Sequence, residues 1–284
     1  METRELEKER QIMKSFFALG FLALFLTACA PVETDLREQT SHRMAMPAFM
    51  TRRDIDTKHG PLAVWERIHT PGAAVHVYIE GDAPPDPIHD LPTPENPVAL
   101  DLASRDHASN LVWIARPCQY RTPETERTCE DHLSDYREAL TDIRERYDVT
   151  EFHVIGYDSG AVIAAELALS DPHVISLRTV AGRLDRLLPR AGLMADIPQQ
   201  HFIGAGDSIA TADMYHRFRQ AMGYSECIRY TFVQDADHTS GWVQKWPELL
   251  KIEPECPRVY KDLAPLPSAP DYDYNSHGAQ IKGK

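Results

Sequence analysis

One short stretch of the chain combines a reactive side chain with a turn that would expose it. Residues 151–160 read EFHVIGYDSG and lead into the apolar run AVIAAELAL, which predicts a strand, a sharp turn and a helix. The spacing Gly156-x-Asp158-x-Gly160 places Asp158 at the tip of that turn, because side chains in place of either glycine would clash. A carboxylate held there can attack an electrophile or activate water.

Two later segments supply the other groups that such chemistry needs. Asp207 follows the strand candidate at 201–203, and His238 follows the strand candidate at 228–233. Loops at the carboxyl ends of parallel strands meet at one edge of the sheet. We therefore expect a triad of Asp158, His238 as base and Asp207 as the acid that orients it.

An oxyanion hole is predicted beside the turn. The backbone N–H of Ser159 is one donor, and the backbone of Gly81 and Asp82, after the strand candidate at 74–79, completes it. The side chains of Glu80 and Asp82 are interpreted as hydrogen-bonded or turn-forming carboxylates rather than catalysts.

Each candidate residue also has a structural alternative. The alternative for Asp158 is a helix N-cap, a role in which Asp contributes about 1 kcal/mol. The protein would then bind a ligand without turning it over. Asp207 suits a cap or turn before a helix near residue 211, and a lone His238 is typical of an ordinary loop. Ser159 is an alternative nucleophile, although one step along a helix turns its side chain away by about 100°.

Convergence of these loops would crowd several carboxylates around one pocket, namely Glu80, Asp82, Asp158, Asp207, Asp235 and Asp237. Some pKa values should then rise, or a cation should bind. The 13 His residues show no paired ligand spacing, so we expect no metal and no cofactor. Trp242 and Trp246 are interpreted as core or rim packing.

The elements that must position these groups alternate along the chain. Apolar, β-rich runs predict strands at 62–69, 74–79, 110–115, 151–155, 174–180, 201–203 and 228–233, and helical patterns occupy 131–147, 159–169, 211–222 and 241–250. This alternation predicts a mostly parallel, doubly wound α/β sheet with helices on both faces. The first two runs, joined by Thr70-Pro71-Gly72, predict an opening hairpin.

Seven segments together resemble the small α/β-hydrolase family of bacterial lipoproteins over residues 60–252. They are VYIEGD (77–82), PVALDLA (97–103), IARPCQY (114–120), VIGYDSGA (154–161), TVAGRLD (179–185), IPQQHFIGAGD (197–207) and DADHTSGWVQKWPELL (235–250). The resemblance implies an α/β-hydrolase fold, a catalytic triad at the positions named above and a Cys118–Cys129 disulfide. Only residues 183–199 separate TVAG (179–182) from the next predicted strand, and a full cap domain needs a longer insertion.

The family normally has serine at the turn, where this chain has Asp158. A carboxylate attacking an ester would form a mixed anhydride, whereas attack on a saturated carbon gives an alkyl ester that water can hydrolyse. Haloalkane dehalogenases and epoxide hydrolases use this logic with aromatic or tyrosine donors that usually come from a cap. We expect a hydrolase of a small ester-like or electrophilic-carbon substrate; the alternative is a catalytically inactive binding or structural module.

The first residues are predicted to be an export signal. MKSFFALGFLALFLTAC (13–29) has a basic start, a short apolar centre and small residues before a cleavage site. Leu-Thr-Ala-Cys resembles a lipobox, which implies that Cys29 is lipidated and anchors the protein to the membrane; an ordinary signal peptide is the alternative. Ala30 resembles the signal for the outer membrane, facing the periplasm. METRELEKERQI fits a signal start poorly, so Met13 is an alternative to Met1 as the start of translation.

Four cysteines remain after Cys29, and export to an oxidising compartment favours two disulfides. Four cysteines permit three pairings, and proximity favours Cys118 with Cys129 and Cys227 with Cys256. Buried free thiols are the alternative.

Composition completes the predicted organisation. We expect a signal peptide (1–29), a flexible tether (30–58), the α/β-hydrolase domain (59–252) and a Pro-rich, disordered tail (253–284). The 284 residues include 30 Lys+Arg and 43 Asp+Glu, a net charge of −13. Such an acidic chain repels phosphate backbones, which argues against nucleic acid and leaves a small-molecule substrate or ligand as the expected partner.

Overall fold

A single eight-stranded sheet organises the molecule in the computed structural model, which describes residues 36–82, 93–120 and 129–257. Its spatial order is β1-β2-β4-β3-β5-β6-β7-β8. The first two pairings are antiparallel and the others are parallel. The strands are β1 (Thr51–Ile55), β2 (Leu62–Ile68), β3 (Val75–Ile79), β4 (Asn110–Ile114), β5 (Phe152–Tyr157), β6 (Val174–Val180), β7 (Gln199–Gly204) and β8 (Ile228–Val233).

Helices cover both faces of the sheet, as the alternation predicted. They are α1 (Leu36–Ala45), α2 (Val98–Ser104), α3 (Leu133–Tyr147), α4 (Gly160–Ser170), α5 (Ala212–Met222) and α6 (Trp246–Leu249), with 3-10 helices at Met46–Ala48 and Leu184–Met194. The predicted helices at 131–147, 159–169 and 211–222 are confirmed within two residues, whereas 241–250 contains only the short α6. The segment between β6 and β7 holds just the second 3-10 helix, so no cap domain is inserted there.

The opening hairpin lies one strand earlier than predicted. β1 pairs with β2, and β4 lies between β2 and β3, so the predicted pairing of β2 with β3 is wrong. Strand β1 reads TRRDI, and only Ile55 in it is buried, so it carries no apolar alternation that would identify it. Its charged side chains pair instead with neighbours, as in the Arg53 Nε–Glu66 Oε1 contact of 2.9 Å.

The predicted tether over 30–58 is wrong from residue 36 onward, because α1 and β1 belong to the domain. Ser41 Oγ lies 2.7 Å from Tyr120 Oη, and Arg37 Nη1 donates to the Thr93 carbonyl at 2.6 Å. These polar contacts hold a helix that has little apolar surface of its own. The predicted signal peptide with Cys29, and the tail from residue 258, lie outside the described residues.

Two hydrophobic cores lie on opposite faces of the sheet. One contains Val77 and Phe152, and the other contains the indoles Trp242 and Trp246, both fully buried. The core interpretation of these two tryptophans is therefore confirmed. No helix in the described ranges is long and apolar enough to cross a membrane.

Both predicted disulfides are present, Cys118–Cys129 and Cys227–Cys256. The second crosslinks the chain beyond α6 to the residue before β8. At the start of the predicted tail, Glu253 Oε2 also pairs with the buried Arg178 Nη2 at 2.7 Å. The first tail residues are therefore attached to the domain.

Candidate active site

The turn after β5 is as tight as the glycine spacing predicted. A Cβ atom at Gly160 would lie 2.4 Å from the carbonyl oxygens of Ile79 and Glu80, and one at Gly156 would lie 2.4 Å from Ala161 Cα. Asp158 has φ +48°, a left-handed conformation that is costly for a residue with a side chain. The packing of the two glycines thus holds Asp158 in a strained position between β5 and α4.

The structure brings Asp158, His238 and Asp207 together at the carboxyl edge of the sheet. His238 Nε2 lies 3.3 Å from Asp158 Oδ1, and His238 Nδ1 lies 3.0 Å from Asp207 Oδ2. Tyr157 Oη donates to the His238 carbonyl at 3.0 Å, which fixes the loop after β8. The imidazole is therefore held between two carboxylates.

Asp207 also performs the turn-forming role considered as its alternative. Its Oδ1 accepts the backbone N–H groups of Ile209 and Ala210, both at 2.8 Å. The N-cap of α5 is Thr211 rather than Asp207. One carboxylate oxygen thus stabilises the turn while the other orients His238.

The Asp158 carboxylate is buried but incompletely bonded. The residue is 8% exposed, and its Oδ1 has no hydrogen-bond partner among the described residues. The 3.3 Å approach of His238 Nε2 is an ion-pair contact without good hydrogen-bond alignment. A buried carboxylate oxygen with spare bonding capacity is costly for folding, and it is available to react.

The charges of the site are strongly coupled. Burial lowers the pKa of His238, but its contacts with Asp158 and Asp207 outweigh burial and raise the pKa to about 9. Burial raises the pKa of Asp158, but His238, the Ser159 N–H and the charge of Arg183 lower it below its usual value. At neutral pH the site therefore holds an imidazolium between carboxylates.

Two of the predicted oxyanion donors are already bonded within the protein. The Asp82 N–H donates to Ser159 Oγ at 2.9 Å, and the Gly81 N–H donates to Glu80 Oε1 at 3.1 Å. The Ser159 N–H contributes to lowering the pKa of the Asp158 carboxylate. An acyl substrate would have to replace these internal acceptors before its oxygen could use the donors.

Ser159 belongs to a network that the sequence reasoning missed. Arg116 Nη1 donates to Ser159 Oγ at 2.6 Å, and its guanidinium also pairs with Asp131 and, at 3.2 Å, with Asp82. None of the hydrogen bonds of Ser159 Oγ involves His238, so the alternative nucleophile has no base. Arg116 lies two residues after the end of β4, and a charged residue at that edge is the signal that could have identified it.

The predicted crowding of carboxylates occurs in part. Burial and the charges of four of the six, Glu80, Asp158, Asp207 and Asp237, raise the pKa of Tyr157, but only two of the six contact His238. Glu80 accepts N–H groups of Ala99 and Trp113, both at 3.1 Å, as a hydrogen-bonded carboxylate. Asp237 caps a local turn, and Asp235 pairs with Lys245 Nζ at 3.5 Å. Only Asp158 and Asp207 contact His238, because the other four carboxylates are bonded to different partners.

The expected rise in pKa occurs at Glu80, where burial outweighs the hydrogen bonds and raises the pKa to about 7. The pKa of Asp237 instead falls, mainly through its hydrogen bonds with Ser240. Within the described ranges, no group of three or more His, Cys, Asp or Glu side chains could hold a metal ion.

Known structures share this architecture. A bacterial membrane phospholipase A, described as a virulence factor, is 12% identical with a TM-score of 0.58, over 84% of this chain and 98% of its own. A putative α/β hydrolase from Agrobacterium tumefaciens is 17% identical with a TM-score of 0.54 (71% and 92% covered), and an α/β serine hydrolase homologue from Coxiella burnetii is 17% identical with 0.53 (71% and 94% covered). No family model and no curated protein matches the chain. The chain thus has the α/β-hydrolase fold that the sequence resemblance implied.

Proposed function

We propose that this protein is an exported, lipid-anchored hydrolase that uses Asp158 as its nucleophile. His238 then activates water, and Asp207 orients the imidazole. The observation that carries the proposal is the imidazole between two buried carboxylates, one of which has an unbonded oxygen facing Nε2. The substrate is a small molecule with an electrophilic carbon.

The first step needs no base, because the pKa of Asp158 is lowered and its carboxylate is already ionised. A carboxylate oxygen bonds to the substrate carbon while the bond to the leaving group breaks, and the leaving group departs with the electron pair. Attack on an ester carbonyl would instead require the donors Gly81 and Asp82, which are bonded internally. Saturated carbon is therefore the favoured target.

The second step uses the charge that the first step removes. An alkyl ester at Asp158 is neutral, so one of the two groups that raise the pKa of His238 is lost. The imidazolium can then release its proton to solvent, and the neutral imidazole accepts a proton from water, whose oxygen attacks the ester carbonyl carbon. The Ser159 N–H stabilises the charge on the ester oxygen. The alcohol leaves with the proton from His238, and Asp158 keeps one oxygen from water, whose second proton passes to His238 and restores the carboxylate and the imidazolium.

Trapping the covalent ester tests this mechanism. A panel of haloalkanes, epoxides, esters and thioesters is offered to His238→Gln, which should stop after the first step and gain the mass of the alkyl group on Asp158. Asp158→Asn should gain no mass, and His173→Gln, just before β6 at the amino edge of the sheet and partly exposed, should turn over normally. In ¹⁸O-water, wild-type Asp158 should acquire ¹⁸O. Turnover without ¹⁸O in Asp158 would show that the carboxylate activates water instead of forming an ester.

A non-catalytic binding module is the second candidate, and the internally bonded Gly81 and Asp82 donors favour it. It predicts no turnover across the panel and no loss of cellular function in Asp158→Asn. Asp158→Ser separates the two functions further. Esterase activity that appears only in Asp158→Ser would show that the remaining machinery is sound, and inactivity of both forms would support the binding module.

A further inference from the structure

Three apolar side chains at the amino-terminal end of the domain are exposed to solvent. Leu36, Met46 and Phe49 are 74%, 71% and 76% exposed, and we call them the N-terminal apolar patch. Isolated exposed apolar residues are common, but three within fourteen residues of a chain that is otherwise strongly polar here indicate a contact surface.

The patch faces away from the domain because the opposite side of α1 is bonded to it. Arg37 and Ser41 are buried and hydrogen-bonded to Thr93 and Tyr120. Arg43, on the same helical face as Leu36 at 100° per residue, is exposed. Leu36 and Arg43 thus share the outer face of α1, and the exposed Met46 and Phe49 follow the end of that helix in the chain.

Phe49 is held outward by an uncommon backbone conformation. Its φ is +57°, and its N–H donates to the Met46 carbonyl at 2.9 Å, closing the 3-10 turn. A bulky residue in the left-handed region is disfavoured. The protein therefore accepts both a strained backbone and an exposed ring at Phe49, which points to a partner outside the domain.

The chain before α1 limits where that partner can be. Only seven residue steps separate Cys29 from Leu36, the first residue of α1, and seven steps span at most about 25 Å. The ten residues of α1 add about 15 Å along the helix. An acyl group on Cys29 would therefore keep Leu36 within about 25 Å of the anchor and the far end of α1 within about 40 Å, so the patch can reach the lipid surface.

We propose that the N-terminal apolar patch lies in the membrane interface, with α1 parallel to the bilayer. Leu36, Met46 and Phe49 enter the boundary between head groups and acyl chains, and Arg43 faces anionic head groups. This inference rests on the proposed lipid anchor at Cys29. It assigns the lipid bilayer, rather than a second copy or a protein partner, to this surface.

Photocrosslinking in the full-length, processed protein tests the proposal. The protein is reconstituted in vesicles of three parts phosphatidylethanolamine and one part phosphatidylglycerol, with p-benzoylphenylalanine at residue 49, 46 or 224. Tyr224 is the matched control, since it is aromatic and 82% exposed. Lipid adducts should form at least about tenfold more at 49 and 46 than at 224, measured by mass spectrometry. Fatty-acid labelling, with Cys29→Ser as control, measures the anchor separately.

The outcomes separate the patch from the anchor. Lipid adducts at 49 without labelling at Cys29 would support the patch and overturn the anchor. Labelling at Cys29 with no preference for 49 over 224 would overturn the patch and leave the anchor intact. Protein–protein adducts at 49 in place of lipid adducts would assign the surface to a second copy and would also overturn the proposal.

Discussion

Two of the histidine–aspartate pairs among the described residues lie at opposite edges of one sheet. At the carboxyl edge, His238 Nδ1 lies 3.0 Å from Asp207 Oδ2, and at the amino edge His76 Nδ1 lies 2.6 Å from Asp106 Oδ2. The pair at the amino edge is the shorter and lies beside a third histidine, His153. Distance alone would therefore select the pair at the amino edge, which is not the pair that we propose to be reactive.

The two edges of the sheet differ in the hydrogen-bonding capacity that their carboxylate oxygens leave unused. Asp106 accepts from His76, from Tyr78 Oη at 2.6 Å and from the Ala108 N–H at 2.8 Å, so both carboxylate oxygens are satisfied. At the carboxyl edge Asp207 is satisfied in the same way, but Asp158 Oδ1, on the other side of His238, is buried and has no hydrogen-bond partner among the described residues. A fully satisfied buried pair stabilises a fold, whereas an unsatisfied carboxylate on a strained backbone is typical of a reactive site.

The largest expected effect is on kcat/KM, which should fall when the carboxyl edge of the sheet is changed but not when the amino edge is changed. Asp158→Asn should lower kcat/KM about 10³-fold or more, because an amide is not a nucleophile. Asp106→Asn, measured at a temperature where it is folded, should stay within about threefold of wild type, since the length of the strands separates Asp106 from the site. A comparable loss of activity in both variants would end the distinction between the two pairs.

The next largest effect is on the stability of the tight turn between β5 and α4. Gly160→Ala should destabilise the protein by about 3 kcal/mol, because the new Cβ meets two backbone oxygens at 2.4 Å. Gly192→Ala is the matched control, since nothing lies within 4 Å of the place that its new Cβ would take, and it should be neutral or slightly stabilising. Urea unfolding measures both. A Gly160→Ala protein as stable as wild type would mean that the turn does not constrain Asp158.

The same two variants should rank in the opposite order when the free energy of unfolding is measured instead of activity. Asp106→Asn leaves buried donors without a full acceptor and should cost about 2 kcal/mol. Asp158→Asn removes a carboxylate that is already partly unbonded and loses about one pKa unit of coupling to His238, so its cost should be smaller, about 1.4 kcal/mol. Unfolding of the two variants in urea at neutral pH makes this comparison. A larger loss at Asp158 would indicate that its ion pair with His238 holds the fold together.

The sequence was sufficient for the features that depend on apolar runs and on loop order. Strands β2 to β8 stand out as apolar runs, and the glycine spacing around Asp158 required the tight turn that the structure contains. The order of Asp158, Asp207 and His238 along the chain was enough to place them at one edge, because parallel strands share their carboxyl ends.

Features held by polar contacts could not be predicted in this way. Strand β1 and helix α1 are stabilised by ion pairs and hydrogen bonds to distant residues, which leave no periodicity in the sequence. The internal acceptors of the Gly81 and Asp82 N–H groups, Glu80 and Ser159, depend on side-chain positions a few ångströms apart. A polar residue in the sequence indicates that a hydrogen bond will form, but it does not identify the partner.

The smallest expected effects are opposite responses of the two edges to pH. His238 has a raised pKa of about 9, so its contribution to stability is complete below about pH 6.5 and is lost as the pH rises through 9. Burial, with the charges of His76 and Arg178, lowers the pKa of His153 to about 4. Its contribution is complete above about pH 6.5 and is lost as the pH falls toward 4.

Imidazole NMR titration separates these two contributions. Asp158→Asn should lower the pKa of His238 by about one unit, since one of its two carboxylate partners becomes neutral, and should weaken only the alkaline loss of stability. His153→Gln should weaken only the acid loss and leave the titration of His238 unchanged. If His238 titrates near 6.5 in the wild type, the imidazole is not held between two charges, and the release of its proton on ester formation would lose its physical basis.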